Sequence, residues 1–352
     1  MVSVDGKIDA FIQLGDWLRS IEASGASARS TDSQELKELI GEAHNQNPWF
    51  IPEFVRYALK SIGESLKEDK IRMWLSNYPD LGVRTDNQRT VAVINAGNIP
   101  LVGFHDFLCI TLSGHRYLGK LSTDDRVLLP AIVEKLIAFE PGLEGYFNFP
   151  EGKLSDFDAV IATGSNNSAR YFDYYFGRYP HIIRKNRNGV AILTGHEDQE
   201  EMELLADDIF LYFGLGCRSV AKLFIPRGYT FDNLFRVFEK YRSIVNLHKY
   251  MNNYDYYRST FLVNGTGHLD TGFLLVKEDM GFSSPPAVLF IEFYDNLDYL
   301  KNRLIQSKEE IQCMVGRIAD MGGVVPFGKA QNPDLWDYSD GVDTLGFLTG
   351  LK

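Results

Sequence analysis

From residue 89 onward, short apolar runs alternate with segments of helical periodicity, and this alternation constrains the fold of the 352-residue chain more than any other feature. Strands that alternate with helices along a chain usually form a parallel sheet, because each helix carries the chain back to the starting edge. The sequence therefore predicts an α/β protein. The predicted strands are TVAVINAG (90–97), YLGKLS (117–122), FDAVIATGS (157–165), GVAILT (189–194), SVAKLFIP (219–226) and AVLFIEFY (287–294).

The pattern divides the chain into two α/β regions that meet near residue 189. Residues 1–85 have apolar positions at helical spacing, as in IPEFVRYALKSIGESL, so we expect a helical preface. Residues 1–188 would form one domain and residues 189–330 a second, with the tail 331–352 folding across the surface and packing back on the first. Two such domains imply a cleft between them, where ligands commonly bind.

The charge and the cysteine content exclude several classes of protein. A net charge of −11 is unfavourable for nucleic-acid partners and for anionic membranes, because both require a basic surface. The three cysteines have neither the spacing of a zinc site nor the even count of a disulfide framework. No stretch approaches the ~18–20 apolar residues of a membrane span. We expect a cytoplasmic protein with no membrane span, no metal and no nucleic-acid partner.

Three candidate ligand-binding positions follow predicted strands. Thr163, Gly164 and Ser165 end a strand and open a helix, where backbone N–H groups and the helix dipole suit a pyrophosphate. Lys120 ends another strand, within reach of a ribose or phosphate, and the amide of Asn98 is a competent oxyanion donor. Each position also has a simpler interpretation, namely a plain strand–helix turn, a surface lysine and a turn-capping asparagine.

Cys217 in GLGCRS is the candidate nucleophile, although a lone cysteine is more commonly structural. The flanking glycines open the backbone, and Arg218 is placed to stabilise a thiolate. The C-terminal dipole of the preceding predicted helix opposes this by raising a thiol pKa. Cys109 lies in a predicted helix that Pro100 opens, and Cys313 lies in another helical pattern, so both are interpreted as packing residues.

Taken in order, these positions resemble the aldehyde dehydrogenase superfamily, and most closely the LuxC-like acyl-CoA reductases. The likeness lies in AGNIPLVGFHDFL, GKLSTDD, GLGCRSVAKLFIP and PFGKA, and it covers residues 89–330. It implies two parallel-sheet α/β domains, the first a Rossmann-like NADP-binding domain and the second the catalytic one, with the active site in the cleft between them.

The resemblance also implies a role for each candidate. Cys217 would be the nucleophile, with its backbone N–H and the Asn98 side chain holding the oxyanion. The pyrophosphate would lie against the segment from Thr163 to Ser165. Lys120, Ser122 and Thr123 would contact the adenosine ribose or its phosphate. NAD-preferring relatives often carry a glutamate where this chain has Thr123, so NADPH is favoured, while the neighbouring Asp124 keeps NADH open.

Two departures from the resemblance point to the type of reaction. Hydrolytic relatives carry a water-activating glutamate where the resemblance aligns RKNR of this chain, with Arg184 near the place of the glutamate, and a second glutamate around the position of Phe282. Without a positioned base, hydrolysis of an acyl-cysteine should be slow. The basic run of Arg184, Lys185 and Arg187 would either pair with carrier phosphates or form a solvated turn.

The expected function is NADPH-dependent reduction of a long-chain fatty acyl-CoA or acyl-carrier thioester to the aldehyde through an acyl-cysteine intermediate. Two alternatives stay open. One is a reductase of the acyl-phosphate type, similar to glutamyl phosphate reductase, which also lacks the water-activating glutamate. The other is a non-catalytic scaffold that retains the fold. Relatives assemble as dimers or tetramers, so a homodimer or homotetramer is possible.

Overall fold

The computed structural model describes residues 2–22, 30–81, 88–318 and 321–351. The chain divides into two compact units. The first comprises Met1–Lys185 together with Asp334–Lys352, and the second comprises Asn186–Pro333. Within the described ranges, no helix combines the length and the apolar character that crossing a membrane requires.

A parallel sheet of five strands forms the centre of the first unit. These strands are β1 (Thr90–Ile94), β2 (Arg116–Lys120), β3 (Phe147–Asn148), β4 (Ala159–Thr163) and β5 (His181–Arg184). They pair in the order β3-β2-β1-β4-β5, and every pairing is parallel. The central strand β1 buries Val91, Ala92 and Val93 almost completely, as expected of a strand covered on both faces.

Helices of the first unit precede the sheet and connect its strands. Phe11, Leu14 and Leu18 on the first helix have no exposed surface and share one core with Val91 and Val93 of β1. The predicted helical preface is thus an integral part of this unit. The helices are α1 (Val4–Arg19), α2 (Ser30–Gln46), α3 (Pro52–Ser65), α4 (Glu68–Leu75), α5 (Phe104–Leu112), α6 (Leu128–Phe139) and α7 (Asn166–Phe176).

The second unit contains a larger sheet of mainly parallel strands. Its strands are β6 (Asn188–Ile192), β7 (Val220–Pro226), β8 (Leu269–Asp270), β9 (Leu275–Glu278), β10 (Val288–Tyr294), β11 (Ile311–Gly316) and β12 (Val324–Val325). They pair in the order β12-β11-β6-β7-β10-β9-β8, and only β8 and β9 are antiparallel among them. The helices are α8 (Gln199–Phe210), α9 (Asp232–Phe238), α10 (His248–Val263) and α11 (Leu297–Gln306).

The tail belongs to the first unit and contributes to its core. Helix α12 (Thr344–Thr349) buries Leu345 and Leu348 completely. The Leu348 carbonyl lies 2.9 Å from Nε2 of His115, a buried residue just before β2. The expectation that the tail simply crosses the surface is therefore wrong for α12, because its apolar side chains enter the core.

Two local expectations are also wrong. The helix expected to open at Pro100 begins at Phe104, because Leu101 has a left-handed φ of 56° that no α-helix accommodates. Cys313 lies in strand β11 rather than in a helix, although its burial agrees with a packing role.

Candidate active site

The predicted cofactor-binding residues lie at one edge of the five-stranded sheet. Ile94 pairs with Lys120 and with Ala162, and Thr163 pairs with Arg184, so the strands β1, β2, β4 and β5 end side by side. In the order β3-β2-β1-β4-β5, the strands β2 and β3 lie on one side of β1, and the next strands along the chain, β4 and β5, lie on the other. Ligands of open α/β sheets bind at the carboxyl ends of the strands, beside the point where the strand order reverses in this way.

The turn that carries Asn98 approaches the next loop closely. A Cβ at Gly97 would lie 2.4 Å from Oγ of Ser122, which is too close for two non-bonded atoms. The turn and the loop can therefore approach this closely only because residue 97 is a glycine. This contact brings Asn98, which is exposed, and Ser122, which is partly buried, to the same part of the sheet edge.

Asp125 fixes the far end of the same turn. Its buried carboxylate accepts hydrogen bonds from the backbone N–H of Leu101 (3.0 Å) and of Leu128 (3.3 Å). The left-handed backbone at Leu101 is thereby held in place. Burial raises the pKa of Asp125 to about 6, since desolvation disfavours the carboxylate more than the two backbone donors stabilise it.

The loop after β2 rests on the end of helix α2. The side-chain amide of Asn47 donates to the carbonyl of Asp124 at 3.2 Å, and Oγ of Ser122 accepts the Asp124 N–H at the same distance. Lys120 donates from Nζ to the carbonyl of Gly152 at 3.0 Å and is exposed, as is Thr123. Lys120 therefore retains ammonium protons beyond this bond for a ligand at the sheet edge.

The predicted phosphate-binding turn lies between β4 and α7. Ser165 caps α7, because its Oγ accepts the N–H of Ser168 at 3.2 Å. A Cβ at Gly164 would lie 2.8 Å from Cβ of Ser168 and 2.9 Å from the ring of Phe172, so only glycine fits there. The Gly164 N–H donates to the carbonyl of Arg184 at 3.2 Å, and the exposed Ser165 lies beside the first turn of α7, where the helix dipole favours an anion.

Arg184 has a structural role that the sequence did not indicate. Its guanidinium forms a buried bidentate ion pair with Asp106, at 2.6 and 2.8 Å, and a hydrogen bond of 3.0 Å to Oγ1 of Thr344. Both expectations for this residue, carrier-phosphate contact and a solvated turn, are wrong because the Arg184 side chain is buried at the end of the edge strand β5 and paired with Asp106.

The backbone before Cys217 has an uncommon conformation. Tyr212 and Phe213 are buried and have φ of 56° and 58°, and Gly214 follows with φ of 73°. Left-handed backbone at large non-glycine residues costs of order 1–3 kcal/mol each and is concentrated at functional sites. The turn separates Cys217 from the end of α8. Because the effect of a helix dipole falls off within the last helical turn, α8 should raise the thiol pKa of Cys217 less than the sequence predicts.

The residues after Cys217 are tightly packed at the start of β7. A Cβ at Gly189 would lie 2.4 Å from the carbonyl oxygen of Arg218, and the Gly189 N–H donates to the carbonyl of Ser219 at 3.0 Å. The Arg218 guanidinium donates to the carbonyl of Ala330 and to Sγ of Cys313. Cys217 itself is partly exposed, whereas Cys109 and Cys313 are buried.

Sequence reasoning found the strand-end candidates and missed two buried carboxylates, Asp125 and Asp208. Asp208 lies on α8 and has no exposed surface. A signal was available for it in LLADDIFLYF, since the apolar positions around Asp207 and Asp208 place one of these acids on the buried face. Among the described residues, no group of three or more potential ligands is arranged to hold a metal ion.

Solved structures of aldehyde dehydrogenases resemble this chain in fold. An indole-3-acetaldehyde dehydrogenase in complex with NAD+ has a TM-score of 0.65 and 14% identity, over 94% of this chain and 75% of that one. The aldehyde dehydrogenase KauB from Pseudomonas aeruginosa has a TM-score of 0.64 and 13% identity, over 92% and 73%. An NAD+-complexed aldehyde dehydrogenase from Mycobacterium tuberculosis has a TM-score of 0.61 and 14% identity, over 90% and 73%.

The comparisons establish the architecture of the chain. No protein-family model and no curated protein matches the sequence. At the identities of the solved structures, the likeness shows the fold and leaves the reaction to the chemistry of the site. The expected fold class, an α/β protein of the aldehyde dehydrogenase type with two sheets of mainly parallel strands, is confirmed.

Proposed function

We propose that the chain is an NADPH-dependent reductase that converts a fatty acyl thioester of CoA or of an acyl carrier protein to the aldehyde through an acyl-cysteine at Cys217. The observation that carries the proposal is the backbone around this residue. Two buried aromatic residues in left-handed conformation precede a partly exposed thiol at the start of a buried strand. Strain of this kind persists where it presents a reactive group.

The proposed chemistry at Cys217 is nucleophilic acyl transfer. Cys217 releases its proton to solvent and attacks the thioester carbonyl as a thiolate, the bond from the acyl carbon to the carrier sulfur breaks, and the carrier leaves as a thiolate that takes up a proton from solvent. The side-chain amide of Asn98 and the backbone N–H of Cys217 are assigned as donors to the oxyanion. When the aldehyde leaves, the carbon–sulfur bond breaks and Cys217 returns to the thiolate.

The residues at the edge of the five-stranded sheet fit a nicotinamide dinucleotide. Gly164 and Ser165 would hold the pyrophosphate, and Lys120, Ser122 and Thr123 would hold the adenosine ribose and its phosphate. Thr123 is exposed and carries no charge to repel a 2′-phosphate, which favours NADPH. When bound, the reduced nicotinamide supplies the hydride. Solved neighbours of the same fold include several complexes with NAD+, which supports a cofactor of this class.

Reductive rather than hydrolytic release is supported by Arg184. The resemblance places the water-activating glutamate of hydrolytic relatives near this position, and the aligned segment RKNR contains no acid. Here the side chain is a buried cation held by Asp106 and Thr344, so it offers no base to a water molecule. An acyl group on Cys217 would therefore persist until a hydride donor is present.

The proposal is tested by covalent labelling. The protein is incubated with radiolabelled fatty acyl-CoA, and mass spectrometry locates the label. We expect acylation of Cys217 in the wild type and in the control Cys109→Ala, which changes a buried thiol, and none in Cys217→Ala. Addition of NADPH should then release aldehyde at least about tenfold faster than water releases acid, a difference of about 1.4 kcal/mol in barrier.

Three other results would contradict the proposal. Label that leaves as carboxylic acid at the same rate with and without NADPH would indicate a hydrolase. Acylation by acyl phosphates but by no thioester would favour the acyl-phosphate alternative. Absence of label with every acyl donor would indicate a scaffold. Replacing NADPH by NADH in the chase measures the cofactor preference directly.

A further inference from the structure

A loop of the second unit is tied to the residues that follow Cys217. The 327–331 loop, with sequence FGKAQ, accepts a hydrogen bond from Arg218 at the carbonyl of Ala330. The same loop donates from Nε2 of Gln331 to Oγ of Ser219 at 3.0 Å. Arg218 and Ser219 are the two residues after Cys217, so the loop and the thiol share one hydrogen-bonded support.

Asp208 attaches the other side of this loop to helix α8. One carboxylate oxygen accepts the N–H of Gly328 at 2.7 Å, and the other accepts the N–H of Ala330 at 3.0 Å. Gly328 has φ of 79°, and a Cβ there would lie 2.6 Å from a methyl group of Leu204 on the same helix. The loop therefore approaches α8 as closely as the backbone allows, and Asp208 satisfies its two donors.

We propose that Asp208 is a positioning residue for Cys217, acting through the 327–331 loop and Arg218. The inference rests on the proposed nucleophilic role of Cys217. Only an ionised carboxylate accepts both N–H groups with full strength, because a carboxylic acid uses one oxygen as a hydroxyl donor. Protonation of Asp208 loosens one of the two attachments, and with it the support of the residues after Cys217.

The protonation of Asp208 falls within an accessible pH range. Burial raises its pKa to about 7, and the N–H groups of Gly328 and Ala330 oppose this shift only in part. The charged groups around it are Asp207, which raises the pKa further, and Arg218, which lowers it. Lys329 in the loop is exposed, and Lys240 is paired with Asp207.

Alkylation of Cys217 by iodoacetamide measures this positioning without acyl donor or cofactor. Rates are determined by peptide mapping between pH 5.5 and pH 9 for the wild type and for Asp208→Asn. Asparagine accepts one N–H and cannot accept the second, so it mimics the protonated acid at every pH. We expect the alkylation rate of Asp208→Asn, divided by that of the wild type, to be near one at pH 5.5 and to fall to about one-fifth above pH 8. Above pH 8 the wild type has an ionised carboxylate, so the variant loses a hydrogen bond to a charged acceptor.

Asp207→Asn is the matched control. Asp207 is the adjacent acid on α8, and it bonds to Lys240 and Tyr241 rather than to the loop. The alkylation rate of Cys217 in Asp207→Asn, divided by that in the wild type, should stay near one at all pH values. A ratio for Asp208→Asn that is below one but independent of pH would show a merely structural role and overturn the inference, as would a ratio of one throughout.

A second measurement needs no variant and covers the case in which Asp208→Asn does not fold. Hydrogen exchange of the Gly328 and Ala330 amides is followed in the wild type at pH 6 and pH 8, corrected for intrinsic rates. We expect protection of at least one amide to fall about fivefold at pH 6. Unchanged protection would overturn the inference. If alkylation follows Asp208 but acyl labelling of Cys217 fails, the positioning stands and the proposed reaction is wrong.

Discussion

At the scale of single residues, the candidate site depends on positions that exclude a side chain. Gly97, Gly164 and Gly189 each lie where a Cβ would meet a neighbouring atom at 2.8 Å or less. The close approach brings the Asn98 turn to Ser122 at Gly97, packs the predicted phosphate-binding turn on α7 at Gly164, and places β6 against the residues after Cys217 at Gly189. These glycines therefore support the geometry of the candidate site, and among the three only Gly164 is itself a candidate ligand-binding residue.

Gly97→Ala tests this dependence. The new methyl group meets Oγ and Cβ of Ser122, so the Asn98 turn has to move, and we expect a loss of about 1–3 kcal/mol in the free energy of unfolding. Labelling of Cys217 by acyl-CoA should slow as well, if Asn98 holds the oxyanion. Both quantities are measured, the first by urea denaturation and the second by the covalent assay.

Gly41→Ala is the matched control for this substitution. Gly41 lies within helix α2, and a Cβ there has no neighbour within 4 Å. Alanine in a helix interior is favoured over glycine by about 1 kcal/mol, so this variant should be slightly stabilised. Equal losses in both variants would refute the role assigned to the contact between Gly97 and Ser122.

At the scale of elements, the strands with long apolar runs were predictable and the short edge strands were not. β1, β4, β7 and β10 are fully or mostly buried, which gives them a largely apolar sequence, interrupted by the buried Lys222 in β7 and Glu292 in β10. β3, β8 and β12 have two residues each, too few for any periodicity. β11 mostly alternates between buried and partly buried residues, which is the periodicity of a strand, so the expectation of a helix around Cys313 is wrong.

The candidate site was predictable to a similar extent. Residues at the carboxyl ends of parallel strands follow from the strand pattern alone, so Asn98, Lys120 and the turn at Gly164 could be identified. Asp125 could not, because its partners are backbone N–H groups that carry no sequence signature, whereas Asp208 left a signal in the apolar positions around it. The burial of Arg184 could not be predicted either, because its ion-pair partner Asp106 is distant in the chain.

Asp125→Asn tests the element that holds the Asn98 turn. The folded-state pKa of about 6 lies above the usual 3.8, so the folded protein binds more protons than the unfolded chain between these values. The contribution of Asp125 to stability therefore decreases as the pH rises through this range. The unfolding free energy of the wild type minus that of Asp125→Asn should fall by about 2 kcal/mol between pH 4 and pH 6.5, and change little above pH 7.

Urea denaturation at a series of pH values measures this difference. Asp124→Asn is the control, since Asp124 is the neighbouring acid and is exposed. Subtraction removes the titration of the buried histidines, which is common to both proteins. A difference that rises with pH, or one that matches the Asp124→Asn curve, would contradict the environment assigned to Asp125.

At the scale of the whole molecule, the first unit is discontinuous in sequence. Its core includes residues from the first 185 positions and from the tail that starts at Asp334. Arg184 and Thr344 form part of this connection, together with the bond between His115 and the Leu348 carbonyl. Helix α12 is thus a structural part of the first unit rather than an appendage.

Leu348→Ala should show this directly. Leu348 has no exposed surface, and removal of a buried leucine side chain costs about 2–5 kcal/mol. Val342→Ala, in the same tail at a residue that is 39% exposed, should change stability by no more than about 0.5 kcal/mol. Similar small effects in both variants, measured by urea denaturation, would mean that the tail is not a required part of this core.

The discontinuity has a consequence for biosynthesis. Every residue of the second unit, Asn186–Pro333, leaves the ribosome before the tail that supplies Leu345 and Leu348 to the first unit. Domains commonly fold as units during translation, in the order in which their residues emerge. Here that order is inverted, because the unit that begins first must wait for its last helix while the unit encoded within it is already complete.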